Sequence, residues 1–236
     1  SVFMYFLFDL DNCLVEIPNI GNYFDQLLVE TLKEFDVKRI PEFNERKQIW
    51  FVGKQYINLL KSWGIKTHQK FWKVLDLKDF KQRKKLIHDG RIMLFEDVLQ
   101  VLKELYRLNK RMGIISNTPD NIIKYQLDYF KIKKYFDIVV GLGEDQTICK
   151  PEPTGINIVL NYFSENGQIK REKNFKRIQS EAIMIGDSIV DIISANRAKV
   201  KSCLILRKQH HYTEEIKSWE YQPNFIINQL DEILKL

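Results

Sequence analysis

The stretch VFMYFLFDLDNCL (residues 2–14) joins a continuous apolar run, residues 2–8, to two aspartates, Asp9 and Asp11, set one residue apart. A run of strand length without polar alternation is the pattern of a strand buried on both faces of a parallel sheet. The aspartates stand where that strand ends. In an extended segment the side chains at i and i+2 point to the same side, so both carboxylates can face one place. Two carboxylates so close repel each other, and the stretch therefore calls for a cation beside them.

Working outward, similar short apolar runs recur at residues 112–115 (MGII), 138–140 (IVV), 182–185 (AIMI) and 203–206 (CLIL). Helical patterns separate them, as with Val98, Val101, Leu102 and Leu105 before the second run. Strands alternating with helices predict an α/β fold, a doubly wound, mostly parallel, Rossmann-like sheet. Residues 16–90 break that rhythm. They show several helical patterns and no convincing strand: Phe24, Leu27, Leu28, Thr31, Leu32 and Phe35 make one stripe, and residues 50–63, 69–75 and 80–87 follow, broken near Gly64 and Asp76. The chain is accordingly expected to form a core from residues 1–15 and 91–236, with 16–90 inserted as a helical domain.

Composition narrows the class. Hydrophobic residues make up 44% and charged residues 29%, which places the chain among folded globular proteins rather than disordered ones. A net charge of +6 suits an anionic small molecule but falls short of a nucleic-acid signature. The basic clusters at 81–85 (KQRKK) and 170–177 (KREKNFKR) read as solvated faces, and residues 164–180 as an exposed loop. No apolar stretch is long enough to span a membrane, and the first apolar run ends in acidic residues, unlike a signal peptide. The cysteines, Cys13, Cys149 and Cys203, are far apart and odd in number. Neither a disulfide framework nor a zinc site is indicated, and a reducing cytoplasm fits. No sequence feature assigns an oligomeric state.

In a parallel α/β sheet ligands bind beyond the carboxyl ends of the strands, so the polar residues after each apolar run carry the chemistry. Those residues are Asp9 and Asp11, then Ser116, Asn117 and Thr118, then Lys150, then Asp187 and Asp191 within GDSIVD. Several carboxylates, a lysine and a hydroxyl around one cleft call for a hard divalent ion with oxygen ligands, of which Mg²⁺ is the natural one.

These segments resemble the haloacid dehalogenase-like hydrolase superfamily. FDLDNCL is similar to its first motif, IISNT to the second, KPEP to the third and IGDSIVDI to the fourth, in the same order, and the insertion at 16–90 is similar to the family's class I cap. The resemblance implies a phosphatase. Asp9 would attack phosphorus to form an aspartyl-phosphate, and Asp11 would act as general acid and base. Ser116 and the backbone of Asn117 would bind the phosphoryl group, and Lys150 would orient Asp9. Mg²⁺ would be held by Asp9, Asp187, the nearby Asp191 and the backbone carbonyl of Asp11. The implied partner is a small phosphate ester; nucleotide, phosphoglycolate and sugar phosphate remain open.

Asn12 and Cys13 depart from the family's usual Gly-Thr. Asn tolerates unusual backbone angles, whereas Cys13 offers a weaker hydrogen-bonding thiol in support of Asp11. A carboxylate pair raises a thiol's pKa, so Cys13 is not expected to act as a nucleophile. Dehalogenase chemistry is disfavoured by the presence of Asp11, while a phosphomutase differs only in its acceptor. A phospho-receiver domain would lack the insertion, and a dinucleotide-binding module would place GxGxxG after the first strand. A non-catalytic phospho-ligand binding protein is the remaining alternative. Within the insertion, Arg46, Trp50, Lys54, Tyr56 and His68 are the candidates for lining the substrate side.

Overall fold

The computed structural model of the chain describes residues 2–166, 171–207 and 213–236. Strand β1 (Tyr5–Phe8) is followed by β2 (Val15–Glu16), then by helices α1 (Ile20–Glu34), α2 (Phe43–Arg46), α3 (Tyr56–Ser62) and α4 (His68–His88). After β3 (Met93–Leu94) come α5 (Val98–Arg107), β4 (Arg111–Pro119), α6 (Asp120–Tyr129), β5 (Ile138–Leu142), α7 (Thr154–Glu165) and α8 (Arg171–Ser180). The chain finishes with β6 (Ala182–Gly186), α9 (Ile189–Arg197), β7 (Lys201–Ile205), α10 (Thr213–Ile216) and β8 (Phe225–Ile227).

Six strands make one sheet in the order β5-β4-β1-β6-β7-β8, and every pairing in it is parallel. Strand β1 sits centrally, which is why its sequence is apolar without alternation. Phe6 and Phe8 pack into the core on one face of the sheet, and Tyr5 and Leu7 into the core on the other. Strand β6 repeats the division, with Ile183 and Ile185 on the first face and Ala182 and Met184 on the second. After β1 the chain builds one side of the sheet through β4 and β5, then returns to build the other side from β6. The switch point falls at the end of β1, where such folds bind ligands.

The helical patterns of residues 16–90 are realised with corrections. Helix α4 runs unbroken through Asp76, where the sequence suggests an interruption. It contains neither Gly nor Pro, and its interior aspartates, which could compete for local backbone groups, are instead engaged by Gln146 and Arg83. The pattern at 50–63, by contrast, does not form one helix. A first 3-10 turn ends at Trp50, and Gly53, at φ 57°, opens a second that runs directly into α3. Strands β2 and β3 pair antiparallel and draw the two ends of the insertion together. Both are only two residues long, too short to show a period.

Two further differences lie in the core. The segment 164–180 is not simply a loop: α7 continues to Glu165 and α8 occupies Arg171–Ser180, with Asn174 and Ile178 buried one helical turn apart. Basic neighbours, and the polar Asn174 itself, mask that short buried face in the sequence, and residues 167–170 lie outside the described part. The edge strand β8 is likewise unanticipated, because it is three residues long and exposes Ile226.

Candidate active site

Asp9 follows β1 directly, and its backbone N–H donates to the carbonyl of Ile185 at 2.9 Å, tying it to β6. Lys150 Nζ donates to Asp9 Oδ1 at 2.8 Å and to Asp191 Oδ1 at 2.6 Å. The lysine is 4% exposed and both carboxylates are buried. Burial opposes the Lys150 charge, but Asp191 and Asp9 more than offset it and hold the ammonium above the ordinary lysine range. Burial first, then Asp191, pushes the Asp9 carboxyl well up, with Lys150 pulling against them. Asn117, at the end of β4, fixes the lysine's backbone. Its Nδ2 donates to Lys150 O at 3.0 Å and its Oδ1 accepts from Lys150 N at 2.7 Å.

Carboxylate oxygens of Asp9, Asp187 and Asp191 lie within 4.8 Å of one another. Three carboxylates with one lysine leave an excess of negative charge, and an all-oxygen donor set is what Mg²⁺ prefers, so these residues fit that ion. Local geometry supports the cluster. Asn12, buried at φ 59°, donates from Nδ2 to Asp187 Oδ2 at 3.2 Å, a contact that a glycine there could not make. Asp191 Oδ2 accepts from the N–H of Ser188 at 3.1 Å at the start of α9. Gly186 is required by packing, because a Cβ there would run into the Asp191 carboxylate.

Asp11 stands outside this trio and faces the insertion. Arg83 Nη1 of α4 donates to Asp11 Oδ1 at 2.7 Å, and Thr118 Oγ1 of β4 donates to Asp11 Oδ2 at 2.7 Å. The same arginine is bidentate to Asp79, through Nε at 2.7 Å and Nη2 at 3.1 Å, and reaches Gln126 Oε1 at 3.2 Å. Tyr23 Oη closes the network on Asp79 Oδ1 at 2.7 Å. Burial works against the Arg83 charge, yet Asp11 and Asp79 hold it well above the usual arginine range. Ser116 is buried beside them, its Oγ accepting from the N–H of Thr118 at 3.1 Å.

A family model described as haloacid dehalogenase-like hydrolase matches residues 6–205, most of the chain and all of these groups. The chain belongs to the haloacid dehalogenase-like hydrolases. Among curated relatives, it is 24% identical over 236 residues to pyrophosphatase PpaX of Listeria welshimeri, covering 98% of this chain and 94% of that one. A phosphoglycolate phosphatase of Pseudomonas fluorescens is 25% identical over 230 residues, covering 97% and 77%. The crystal structure of a predicted phosphatase from Clostridium acetobutylicum superposes with a TM-score of 0.69 over the whole of both chains at 21% identity, a likeness of fold.

In this haloacid dehalogenase-like hydrolase the residues expected from the sequence come together: Asp9, Asp11, Ser116, Asn117, Lys150, Asp187 and Asp191 all line one cleft of about 340 Å³. The insertion contributes Phe24 and Trp50 to the same cleft. Tyr56 lines a smaller adjoining cavity. The other insertion candidates are employed elsewhere or lie outside both spaces. Arg46 is held by Asp25 at 2.8 and 2.7 Å, Lys54 is exposed, and His68 packs its ring against Tyr56 at 5.7 Å.

Two readings are corrected. Cys13 does not support Asp11. Its Sγ turns into the core and donates weakly to the carbonyl of Ile185 at 3.7 Å, while Thr118 and Arg83 hold the aspartate. Burial, then Asp9, pushes the Cys13 thiol well up, which removes it as a nucleophile. Arg83 was hidden in the cluster 81–85 and belongs to no solvated face, being 1% exposed. The available signal was the i, i+4 spacing of Asp79 and Arg83, which puts the pair on one side of a helix.

Proposed function

We propose that this hydrolase is a Mg²⁺-dependent phosphatase of a small phosphorylated metabolite that works through an aspartyl-phosphate. The observation that carries the reading is the buried junction of Lys150 with Asp9 and Asp191, with Asp187 completing an oxygen cluster within 4.8 Å. A carboxyl nucleophile that a fixed ammonium and a hard cation would together hold ionised is the arrangement phosphoryl transfer needs. Relatives named as a pyrophosphatase and a phosphoglycolate phosphatase support cleavage of a phosphoryl group and differ in what leaves.

On this reading Asp9 attacks phosphorus as the bond to the leaving oxygen breaks, and Asp11 gives that oxygen a proton. Asp11 then takes a proton from the water that attacks the aspartyl-phosphate, which releases phosphate and restores Asp9. Ser116 and the N–H of Asn117 hold the phosphoryl oxygens, and Lys150 keeps Asp9 in line. Asp9, Asp187, Asp191 and the backbone carbonyl of Asp11 would hold Mg²⁺, which would supply positive charge against the transferring group. Both Asp11 oxygens are engaged, so proton transfer requires Arg83 or Thr118 to yield one of them. That requirement ties the chemistry to the seating of residues 16–90, which we assign as a cap over a core of 1–15 and 91–236, closing to exclude water.

Among the described residues no helix is long and apolar enough to cross a membrane. The three cysteines are free and buried, which supports a reducing, cytoplasmic setting. The test is hydrolysis of a panel of phosphate esters, including an aryl phosphate, by purified protein with and without Mg²⁺. Turnover that requires the metal is expected, and metal-independent turnover or none at all would overturn the reading.

A further inference from the structure

Beside the reaction cleft lies a second cavity of about 70 Å³, between α3, α4 and the loop that carries Lys150. It shares Asn117, Thr118 and Lys150 with the larger cleft, so the two meet at the groups proposed to hold the phosphoryl group. At roughly 10–15 Å³ for each water-sized position, it has room for about five such positions, enough for a fragment of about two or three carbons with its hydroxyls.

Its lining contains polar groups left over from folding. Tyr56 is 2% exposed and Trp72 7% exposed, and Tyr56 Oη and Trp72 Nε1 have no hydrogen-bond partner among the described residues. A buried donor without a partner is costly, so two side chains that carry one, both lining a cavity beside a reaction cleft, point to a ligand. The cavity also carries Asp76, whose Oδ2 accepts from Gln146 at 2.8 Å, and Asp79. Its cations, among the described residues, are Arg83 and Lys150. Arg83 is already bonded to Asp79 and Asp11, and Lys150 to Asp9 and Asp191. An anionic leaving group would meet two acidic side chains, Asp76 and the Asp79 that Arg83 holds, and no uncommitted positive charge. A hydroxyl meets what it needs, an acceptor at Asp76 and donors at Trp72 and Tyr56.

Resting on the phosphatase reading, we propose that this cavity is the leaving-group subsite and that it takes a short, uncharged, hydroxylated fragment, making the substrate a small polyol monophosphate. The carboxylate of phosphoglycolate and the second phosphate of pyrophosphate are both disfavoured there. The substrates named for the two relatives would thus not be the preferred ones here.

The experiment compares kcat/KM for glycerol phosphate, phosphoglycolate, pyrophosphate and an aryl phosphate with Mg²⁺, in the unaltered protein and in Tyr56→Phe and Asp76→Asn. Glycerol phosphate is expected to exceed phosphoglycolate and pyrophosphate by about tenfold or more. Tyr56→Phe should lower the ratio of glycerol phosphate to aryl phosphate by roughly two- to tenfold, the worth of one hydrogen bond. Asp76→Asn should narrow the preference over phosphoglycolate. Each ratio is taken on one preparation, so partial unfolding of a variant cancels. No turnover of any ester overturns the phosphatase reading and this inference with it. Turnover of the aryl phosphate with either anionic leaving group preferred, or ratios that neither substitution moves, overturns the subsite assignment alone.

Discussion

Arg83 and Asp11 form an ion pair at 2.7 Å that joins the middle of the inserted helices to the residue just beyond the central strand. The arginine is 1% exposed and shares its charge with Asp79, itself 2% exposed. Removing one partner of such a network leaves a buried charge uncompensated, which is far more costly than the net worth of the pair. Arg83→Met is therefore expected to destabilise the protein by about 3–5 kcal/mol in urea denaturation. Adding Asp79→Asn should recover a large part of that loss, because the carboxylate left behind no longer carries charge. A cost below 1 kcal/mol for the single variant would show that water already reaches the pair.

The two aspartates of the first motif should fail differently. Asp9→Asn replaces the oxygen proposed to attack phosphorus with an amide and is expected to abolish hydrolysis outright. Asp11→Asn keeps the nucleophile but cannot transfer the proton, and should lower kcat by about 10² to 10⁴. Thr118→Val, which removes the 2.7 Å hydrogen bond to Asp11 Oδ2 and little volume, should lower kcat by roughly tenfold. Steady-state kinetics with an aryl phosphate separates these cases; a loss confined to KM in Asp11→Asn counts against its role in proton transfer.

The division between what could and could not be read beforehand follows distance along the chain. The parallel sheet announces itself because β1 and β6 are buried on both faces, and such strands have continuous apolar sequences. Asp9 and Asp187 are found because each stands just past a strand end, at a place the topology makes functional, and Lys150 because it is the lysine that follows the third apolar run, on the loop between β5 and α7. Arg83 obeys no such rule. It lies 72 residues from Asp11 in a helix whose orientation only tertiary packing decides, and its neighbours Lys81, Gln82, Lys84 and Lys85 make it look solvated. Strands β2, β3 and β8 were unreadable for another reason, since two or three residues hold no period. Cys13 occupies the motif position that the resemblance gives it, but after the turn at Asn12, φ 59°, its side chain enters the core and does not face Asp11.

Asp76 gives the protein a pH dependence of predictable sign. Burial first, then Asp79, raises its carboxyl to about 7 against the Gln146 hydrogen bond, from an ordinary value of 3.8. The folded state thus binds this proton more tightly than the unfolded chain does. Its contribution to stability is complete below about pH 4 and is lost as pH rises through 7. Relative to Asp76→Asn, which does not titrate, the unaltered protein should lose roughly 2–4 kcal/mol between those limits. Urea midpoints of the two proteins measured from pH 4 to 7.5 give the difference directly, and a constant difference would falsify the assignment.

All three thiols are buried, and burial pushes Cys149 and Cys203 up to about 12 and Cys13 well above the ordinary thiol range. A thiol of that kind is neither accessible nor ionised at neutral pH. A colorimetric disulfide reagent should find no fast-reacting thiol in the native protein and three in urea. Rapid labelling of even one in the native state would show that its segment opens.

Gly186 joins the packing of the sheet to the charge of the site. A Cβ at this position would run into the Cβ and the carboxylate of Asp191, and that carboxylate is one of the two that hold Lys150. Overpacking of this kind typically costs about 1–3 kcal/mol. Gly186→Ala should show that loss in denaturation. It should also lose hydrolysis beyond the fraction unfolded, because moving Asp191 moves the lysine that sets Asp9. Gly143→Ala is the matched control, since a Cβ there meets only Asp120 Oδ2, at 4.0 Å. If both alanine variants keep full activity, Asp191 can shift without carrying Lys150 with it, and the coupling between sheet packing and Lys150 is weaker than these contacts require.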